Sequence, residues 1–359
     1  MLYSVILAGG RGERFWPLSR LGHPKQLLKI TSDKTLLQET IDRVKELIPV
    51  NRTLVVTGEN FAKAILEKVP ELTEKSLILE PEGKNTCVAI ALAAVHIKKK
   101  DPEAVMAVLS SDHLIEPKER LQKILDIGAS IAKQGDYLIT MGVVPTRAET
   151  GYGYIELGEP FSSSEGVPVF KVKQFKEKPT RTVAQQYYFD RQHLWNSGIF
   201  IWSCSAILKA IKEHMPSLYR ELDIYYNYID TPKEKEERKK LYANAENISI
   251  DFAVLEKASN VLTIKADLRW DDIGSWLALE RIKEKDRDNN VFVGKVVALD
   301  SYETTIVNEE DGIVAALGVS DLVIVHTDGI VFVAHKTKVQ DVKELLQKLA
   351  SDKDLEKYL

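Results

Sequence analysis

The sequence opens with MLYSVILAGGRGERF (1–15), in which an apolar run, YSVIL, leads directly into a loop with three glycines. An apolar run that ends in glycines is typical of a buried β-strand. We predict a buried strand at four similar runs: TLVVT (53–57), SLILE (76–80), AVMAVLS (104–110) and YLITMG (137–142). Helical patterns separate several of these runs. The alternation predicts a doubly wound, Rossmann-like α/β sheet that is mostly parallel.

Two of the intervening stretches show helical spacing. In residues 35–48, apolar side chains recur every three or four residues, which makes one apolar helix face. Residues 86–99, TCVAIALAAVHIKK, predict a second helix with lysines near its C-terminal end. A later charge run, PKEKEERKK (232–240), is typical of a solvated helix or loop rather than a binding patch.

The pattern changes near residue 288. Short β-rich segments then follow at close spacing, separated by Gly, Asp, Asn or Ser turn residues. An apolar-periodic stretch, VKELLQKL (342–349), comes after them and predicts a helix. We therefore predict a large α/β domain at 1–288 and a small β-rich domain with a terminal helix at 289–359.

The composition excludes several classes of protein. With 359 residues, of which 44% are hydrophobic, the chain can build a large core and is not globally disordered. No run approaches the roughly 18 apolar residues of a membrane helix, and the N-terminus lacks the basic region of a signal peptide. A net charge of −4 disfavours non-specific nucleic-acid binding. Two cysteines, Cys87 and Cys204, cannot form a disulfide framework, which favours a cytoplasmic location.

The loop after the first strand, LAGGRGERFWPLSRLGHPKQLL (7–28), concentrates glycines and cations. Glycines let backbone N–H groups approach a phosphate, and cationic side chains neutralise it. The residues concerned are Gly9, Gly10, Gly12, Arg11, Arg14, Arg20 and Lys25. The spacing is not a dinucleotide fingerprint, because Phe15 stands where a third glycine would be needed, and no P-loop occurs. We predict phosphate binding here, in preference to a plain strand–helix turn with basic surface residues.

A single aspartate stands just after the strand predicted at 104–110, in SSDHLI (110–115). Open α/β sheets bind ligands at the carboxyl ends of their strands, so Asp112 could hold Mg²⁺ beside substrate phosphates. The alternative, which the residues alone favour equally, is that Asp112 caps the next helix.

The segment ILEPEGKNT (78–86) suggests recognition of a base. Guanine offers two adjacent donors, N1–H and N2–H₂, and the carboxylate of Glu80 could accept both. Asn85 or Thr86 could instead cap the following helix. Both interpretations can hold together, because the start of a helix also presents free N–H groups.

Three further clusters are weak when taken singly. FKEKP (175–179) places Glu177 beside Lys178, WNSGIF (195–200) contains Asn196, and RWDDIGSW (269–276) offers a second carboxylate site. Each alone is typical of a turn between strands.

Together these segments resemble the sugar-1-phosphate nucleotidylyltransferases, and within them the mannose-1-phosphate guanylyltransferase family. In family order they are LAGGRGERFWPLSR with PKQ, EPEGKNT, SSDH, GYGYI, FKEKP, WNSGIF, SIDFAVLEK and WDDIGSW. The resemblance implies transfer of GMP from GTP to α-D-mannose 1-phosphate, with release of pyrophosphate. It also implies a mixed α/β catalytic domain and a C-terminal segment similar to a left-handed β-helix, which can support a homodimer.

The resemblance implies a role for each matching residue. At the phosphates the catalytic residues are Arg14, Lys25, Asp112 and Asp272, with Mg²⁺ held by the two aspartates. Asp272 is preferred to Asp271 because the family's aspartate stands two residues after the tryptophan. The residues implied to bind the nucleotide are Gly9, Gly10, Gly12, Glu80, Asn85 and Thr86. Those implied to bind the sugar phosphate are Gly153, Glu177, Lys178 and Asn196.

Two departures from the family pattern stand near the base segment. Lys84 replaces the usual arginine, and Cys87-Val88 replaces a small residue and proline. Lysine keeps the charge but loses the bidentate fork of arginine, so we expect a weaker or water-mediated contact at Lys84.

Three alternative functions are open to the same sequence. A sibling enzyme would use another sugar 1-phosphate or another nucleotide. A non-catalytic regulatory subunit would have lost some of Arg14, Lys25, Asp112 and Asp272, all of which are present. An NAD-dependent oxidoreductase is disfavoured by the glycine spacing.

Overall fold

The computed structural model describes the whole chain, residues 1–359. Its strands are β1 (Leu2–Leu7), β2 (Thr53–Gly58), β3 (Leu77–Glu80), β4 (Val105–Ser110), β5 (Leu114–Glu116), β6 (Leu138–Val143), β7 (Tyr154–Ser164), β8 (Val167–Lys176), β9 (His193–Ser203), β10 (Val261–Ala266), β11 (Arg269–Asp271), β12 (Val291–Val293), β13 (Val296–Leu299), β14 (Thr305–Asn308), β15 (Val314–Leu317), β16 (Leu322–Thr327) and β17 (Ile330–His335). Its α-helices are α1 (Leu36–Val44), α2 (Ala62–Lys68), α3 (Asn85–Lys100), α4 (Lys118–Ala132), α5 (Arg181–Asp190), α6 (Cys204–His214), α7 (Pro216–Tyr226), α8 (Glu234–Asn244), α9 (Leu279–Ile282) and α10 (Val342–Ala350). No helix combines the length and the apolar character that a membrane span needs.

Contacts divide the chain into two compact units, each made of separate stretches of sequence. The first unit consists of Met1–Gly9, Gln38–Ser111 and Ile115–Trp270. The second consists of Gly10–Leu37, Asp112–Leu114 and Asp271–Leu359. The glycine-rich loop is therefore shared, since Gly9 ends a stretch of the first unit and Gly10 begins one of the second.

The first unit is built on a nine-stranded sheet with the order β3-β2-β1-β4-β9-β6-β10-β8-β7. β1 runs parallel to β2 and β4, whereas β9 runs antiparallel to β4 and β6. In β4, Met106 and Val108 enter one apolar cluster, while Val105 and Leu109 enter another. Because successive side chains of a strand point to opposite faces, the sheet is buried on both sides. The predicted doubly wound α/β fold is confirmed. The sheet is mixed rather than mostly parallel, because β7, β8 and β9 run antiparallel to their neighbours.

The strand and helix predictions hold over most of the first unit. The five predicted strands are β1, β2, β3, β4 and β6, and the two predicted helices are α1 and α3. The charge run at 232–240 falls largely on α8, so its helical alternative is correct.

One local prediction is wrong. The stretch WNSGIF is not a turn between strands, because residues 195–200 lie inside β9. The turn-like residues lie where the strand is irregular. The pairing of β9 with β6 shifts register between Thr140 and Gly142, and Gly198 has a φ of 69°. Such bulges redirect side chains within a strand, so the polar residues here sit on a rigid element rather than on a loop.

The second unit contains the C-terminal strands. β12, β14 and β16 pair in parallel, and β13 pairs in parallel with β15. Val296 lies beside Val314 and Thr305 beside Val323, at the same distance along the sequence in both cases. Equal spacing of parallel neighbours is the pattern of a β-helix. The predicted small C-terminal β domain is confirmed.

Aromatic side chains of the early segment 10–37 share the core of this second unit. Phe15 and Trp16 belong to the same apolar cluster as Val307 and Val325 of the C-terminal strands. The indole N–H of Trp276 donates to the carbonyl of Trp16 at 3.0 Å. The boundary predicted between residues 288 and 289 falls inside this unit, and it stays a prediction about sequence domains.

Candidate active site

The second unit brings three of the predicted catalytic residues together. Lys25 is buried, and its Nζ donates to Oδ2 of Asp112 at 2.6 Å. The same Nζ donates to the backbone carbonyl of Asp272 at 3.2 Å. Burial favours a higher pKa for Asp112, but the positive charges of Lys25 and His113 outweigh it and hold the pKa below its ordinary value. Asp112 is therefore an anion held against a buried cation.

The structure excludes the capping role for Asp112. The helix that follows, α4, begins at Lys118, and Pro117 is the residue before its first turn. Asp112 lies two residues beyond the end of β4, on the side where the strand's carboxyl end points.

The two neighbouring aspartates at 271 and 272 have different environments. Asp271 is buried and accepts two hydrogen bonds from Arg281, at 2.5 and 2.8 Å, and a third from the backbone N–H of Ile273. Its carboxylate is therefore engaged in a structural ion pair. Asp272 is only partly buried, and its Oδ1 accepts from the N–H of Gly274. This difference favours Asp272 over Asp271 as the ligand-binding carboxylate.

Gly12 is needed where it stands for steric reasons. Its φ is 70°, and an added Cβ would lie 2.2 Å from Cβ of Lys25. An added Cβ at Gly10 would meet nothing within 4 Å, so packing alone does not require glycine there. Gly10 thus leaves its backbone open to an approaching ligand.

Arg14 is exposed and lies in the short helical turn Glu13–Phe15. The structure does not bring it into contact with the Lys25 cluster, and no hydrogen bond or ion pair engages its guanidinium. Its assignment to the phosphates stays a prediction.

In the first unit, Glu80 ends strand β3 as a buried carboxylate. The hydroxyl of Tyr242 donates to its Oε1 at 3.0 Å. A Cβ added at Gly9 would lie 2.7 Å from Oε2, so Gly9 makes room for this carboxylate. Burial raises the pKa of Glu80 and the Tyr242 hydrogen bond opposes that rise, so that the pKa stands at about 7.

The segment after Glu80 leads into α3, which begins at Asn85. Neither Asn85 nor Thr86 caps the helix, because Lys84 holds the cap position without a side-chain hydrogen bond. Thr86 Oγ1 instead accepts from the backbone N–H of Ile250 at 2.9 Å. Lys84 donates to the carbonyl of Ala245 at 3.2 Å, so its ammonium is engaged by the protein backbone.

The predicted sugar residues also cluster in the first unit. The N–H of Asn196 donates to the carbonyl of Gly153 at 2.8 Å. A Cβ added at Gly153 would lie 3.1 Å from Oε2 of Glu177. Lys178 is exposed, and its Nζ lies 3.3 Å from Oε1 of Glu177. Gly153, Glu177 and Asn196 are thus brought together, and Lys178 adjoins them through its neighbour in sequence.

Comparison with known proteins shows which family the chain resembles. The family model for nucleotidyl transferases matches residues 3–289, and that for the mannose-phosphate isomerase/GMP-like β-helix domain matches residues 294–349. Mannose-1-phosphate guanylyltransferase 2 of Escherichia coli O157:H7 is 36% identical over 97% of this chain and 73% of its own length. The mannose-1-phosphate guanylyltransferase of E. coli K12 is 35% identical over 98% of this chain and 74% of its own length.

The chain belongs to the mannose-1-phosphate guanylyltransferase family.

Two solved structures share the fold over most of this chain. A Thermus thermophilus protein described as a mannose-1-phosphate geranyltransferase superposes with a TM-score of 0.86 and 33% identity, over 97% of this chain and 99% of that one. A Helicobacter pylori mannose-6-phosphate isomerase gives a TM-score of 0.59 and 26% identity, over 75% of this chain and 99% of that one. The family resemblance inferred from the sequence motifs is confirmed.

Two residues of this guanylyltransferase-family chain escaped the sequence analysis. Asp251 is half-buried and accepts from Nδ2 of Asn196 at 2.8 Å. Burial raises its pKa, and the Asn196 hydrogen bond acts in the opposite direction. The motif SIDFAVLEK contains Asp251, but no role was drawn from it. Nothing in the sequence pointed to Tyr242, because it follows a charge run and lies 162 residues away from Glu80 in the chain.

Replacing Gly12 tests whether the loop positions Lys25. Gly12→Ala is expected to lower kcat roughly tenfold, because the new methyl group collides with Lys25 and misplaces its ammonium. Gly22→Ala is the matched control, since a Cβ there meets nothing within 4 Å. Steady-state kinetics of both variants measure the effect. Equal kcat values for the two variants would contradict the positioning role of Gly12.

Proposed function

We propose that this chain transfers GMP from GTP to α-D-mannose 1-phosphate, giving GDP-mannose and pyrophosphate. The observation that carries the proposal is the buried contact of Lys25 with Asp112 and Asp272, in a chain related over almost its whole length to mannose-1-phosphate guanylyltransferases. An assay of all four nucleoside triphosphates with mannose, glucose and fucose 1-phosphates tests it. A clear preference for another pair would favour the sibling enzyme.

The reaction needs charge control more than proton transfer. A phosphate oxygen of the sugar phosphate is already an anionic nucleophile, and it attacks the α-phosphorus of GTP in line while pyrophosphate leaves. The protein must hold two mutually repelling anions and stabilise the charge of the transition state. Lys25 and Arg14 are the side chains we assign to that charge, with the backbone of Gly10 and Gly12 at the nucleotide phosphates.

Enzymes of this family generally use a divalent metal. The residues present fit Mg²⁺, which usually takes one or two protein carboxylates and completes its shell with phosphate oxygens and water. Asp112 and Asp272 would hold it, because Lys25 contacts the carboxylate of Asp112 and the backbone carbonyl of Asp272, so the two residues lie beside the same ammonium. When bound, the ion would neutralise charge on the nucleotide phosphate oxygens.

The first unit supplies the residues that we assign to substrate recognition. Glu80 would read guanine, with Asn85 and Thr86 beside the nucleotide. The sugar phosphate would contact Gly153, Glu177, Lys178 and Asn196, and Asp251 holds the amide of Asn196 in place. A cytoplasmic location and a homodimer stay predictions.

Glu80→Gln tests base recognition directly. The amide loses one acceptor and turns N–H donors toward the donors of guanine, so we expect KM for GTP to rise on the order of 10²-fold. KM for ATP should change little, and the preference between the two nucleotides should shrink. Glu82→Gln is the control, because Glu82 is an exposed carboxylate of the same segment. An unchanged nucleotide preference in Glu80→Gln would refute base reading by Glu80.

A further inference from the structure

The strongest unexplained contact in the first unit joins a charged helix to the base-reading carboxylate. Helix α8 begins in the charge run, yet its C-terminal part carries Tyr242, which is fully buried. The Tyr242 hydroxyl donates to Glu80 Oε1 at 3.0 Å. Nothing in the proposed reaction accounts for a buried phenol at this position.

The contact fixes one oxygen of Glu80 and leaves acceptor capacity on both. A carboxylate offers about four lone-pair sites on its two oxygens, and Tyr242 occupies one of them. On the other side, Oε2 occupies the space that a side chain at Gly9 would fill. The carboxylate is thus confined between a phenol and a glycine, with sites remaining for the two donors of guanine.

The same contact affects the charge of Glu80. Burial raises the pKa of Glu80 and the Tyr242 hydrogen bond lowers it, which together place the pKa at about 7. Burial also raises the pKa of Tyr242 well above its ordinary value, so the phenol stays protonated and donates. Tyr242 is the titratable group in contact with Glu80. The other two neighbours are glycines without side chains: Gly9, which lies against Oε2, and Gly58, which pairs with Glu80 in the sheet. The positive charge of Arg238, also on α8, lowers the pKa of Tyr242 and so opposes the effect of burial.

We propose that Tyr242 is a positioning residue for base recognition: it orients Glu80 and favours its ionised form, so that α8 sets the pH dependence of GTP binding. The proposal rests on the assignment of Glu80 to guanine. Tyr242 itself does not contact the nucleotide, and it acts only through Glu80.

The sign of the pH effect follows from the acceptors that guanine needs. A protonated carboxyl has lost an acceptor and gained a donor, so GTP binding weakens as the pH falls through about 7. Without the Tyr242 hydroxyl, the pKa of Glu80 rises further. The weakening then begins at a higher pH, and the difference from the native enzyme fades as the pH increases.

The test compares two buried phenols. In Tyr242→Phe, we expect the dissociation constant for GTP at pH 7 to rise roughly tenfold, and to approach the native value by pH 8.5. KM for mannose 1-phosphate should not change. Tyr225→Phe is the matched control: Tyr225 is also buried, and its hydroxyl contacts His96 and Glu234 rather than Glu80. Calorimetry with GTP alone, from pH 6.5 to 8.5, gives the dissociation constant of each variant. Titration of the nucleotide phosphates affects all variants equally, so it cancels when they are compared.

The pH dependence of GTP binding distinguishes a positioning role for Tyr242 from a structural one. A pH-dependent loss confined to Tyr242→Phe supports the proposal. A loss that is equal at every pH, or that Tyr225→Phe shares, shows a structural role and overturns it. If Tyr242→Phe does not fold, incorporation of a fluorotyrosine at position 242 replaces it: a more acidic phenol is a stronger donor and should move the midpoint to lower pH. An unmoved midpoint overturns the proposal. Glu80→Gln separates the two assignments, because unchanged base preference there refutes base reading itself.

Discussion

Asp112→Asn is expected to lower kcat on the order of 10³-fold, the largest loss that we predict. The substitution removes one of the two carboxylates assigned to Mg²⁺ and also the anion that Lys25 contacts at 2.6 Å. Loss of a single preorganised charge contact typically costs 10²- to 10³-fold in kcat, and here two are lost together. The measurement is kcat at saturating GTP and mannose 1-phosphate, repeated over a Mg²⁺ titration.

The adjacent aspartates provide contrasts for this experiment. Asp272→Asn should raise the Mg²⁺ requirement while keeping the Lys25 contact, because Lys25 binds the backbone carbonyl of Asp272. Asp271→Asn should lower Tm and leave the Mg²⁺ requirement unchanged, since Asp271 pairs with Arg281. If Asp112→Asn and Asp272→Asn both show the native Mg²⁺ dependence, the metal assignment is wrong.

Lys25→Met is expected to lower kcat by about 10²- to 10³-fold. Methionine keeps most of the apolar stem that packs in the buried position, but it removes the charge assigned to the transferred phosphate. We expect KM for GTP to change much less than kcat, because the charge matters most in the transition state. Single-turnover kinetics with saturating substrates separate the chemical step from product release.

Two further lysine variants bracket that result. Lys25→Arg keeps a positive charge but not the compact ammonium, so it should recover only part of the rate. Lys29→Met is the control, because Lys29 is an exposed lysine of the same segment. A kcat in Lys25→Met within a few-fold of the Lys29→Met value would remove Lys25 from the catalytic set.

The sequence was sufficient for the parts of the fold that depend on local patterns. Apolar runs predicted the strands because both faces of the sheet are buried, and helical spacing predicted α1 because one face of that helix is apolar. The run at 86–99 predicted α3. The C-terminal strands were recognised as β-rich from short apolar segments separated by turn residues. The order of strands in the sheet and the sharing of residues 10–37 with the C-terminal region were out of reach, since both depend on long-range packing.

The candidate site was predictable to the extent that its residues lie in recognisable motifs. Lys25, Asp112 and Asp272 could each be named, but their contact could not, because they lie on three separate stretches of the second unit. Asn196 was named but placed in a turn, since Ser-Gly pairs are far more common in turns than in bulged strands. Tyr242 and Asp251 act through other side chains, and such partners leave no motif of their own.

The order in which the second unit's segments are synthesised has a consequence for how activity appears in the cell. Phe15 and Trp16 emerge from the ribosome early, yet their apolar partners Val307 and Val325 come about three hundred residues later. Domains usually fold in the order of synthesis, N-terminal part first. Here the loop that carries Lys25 must wait with its aromatic side chains unburied until the β-helix has been made. We therefore expect a nascent chain to stay catalytically silent for most of its translation.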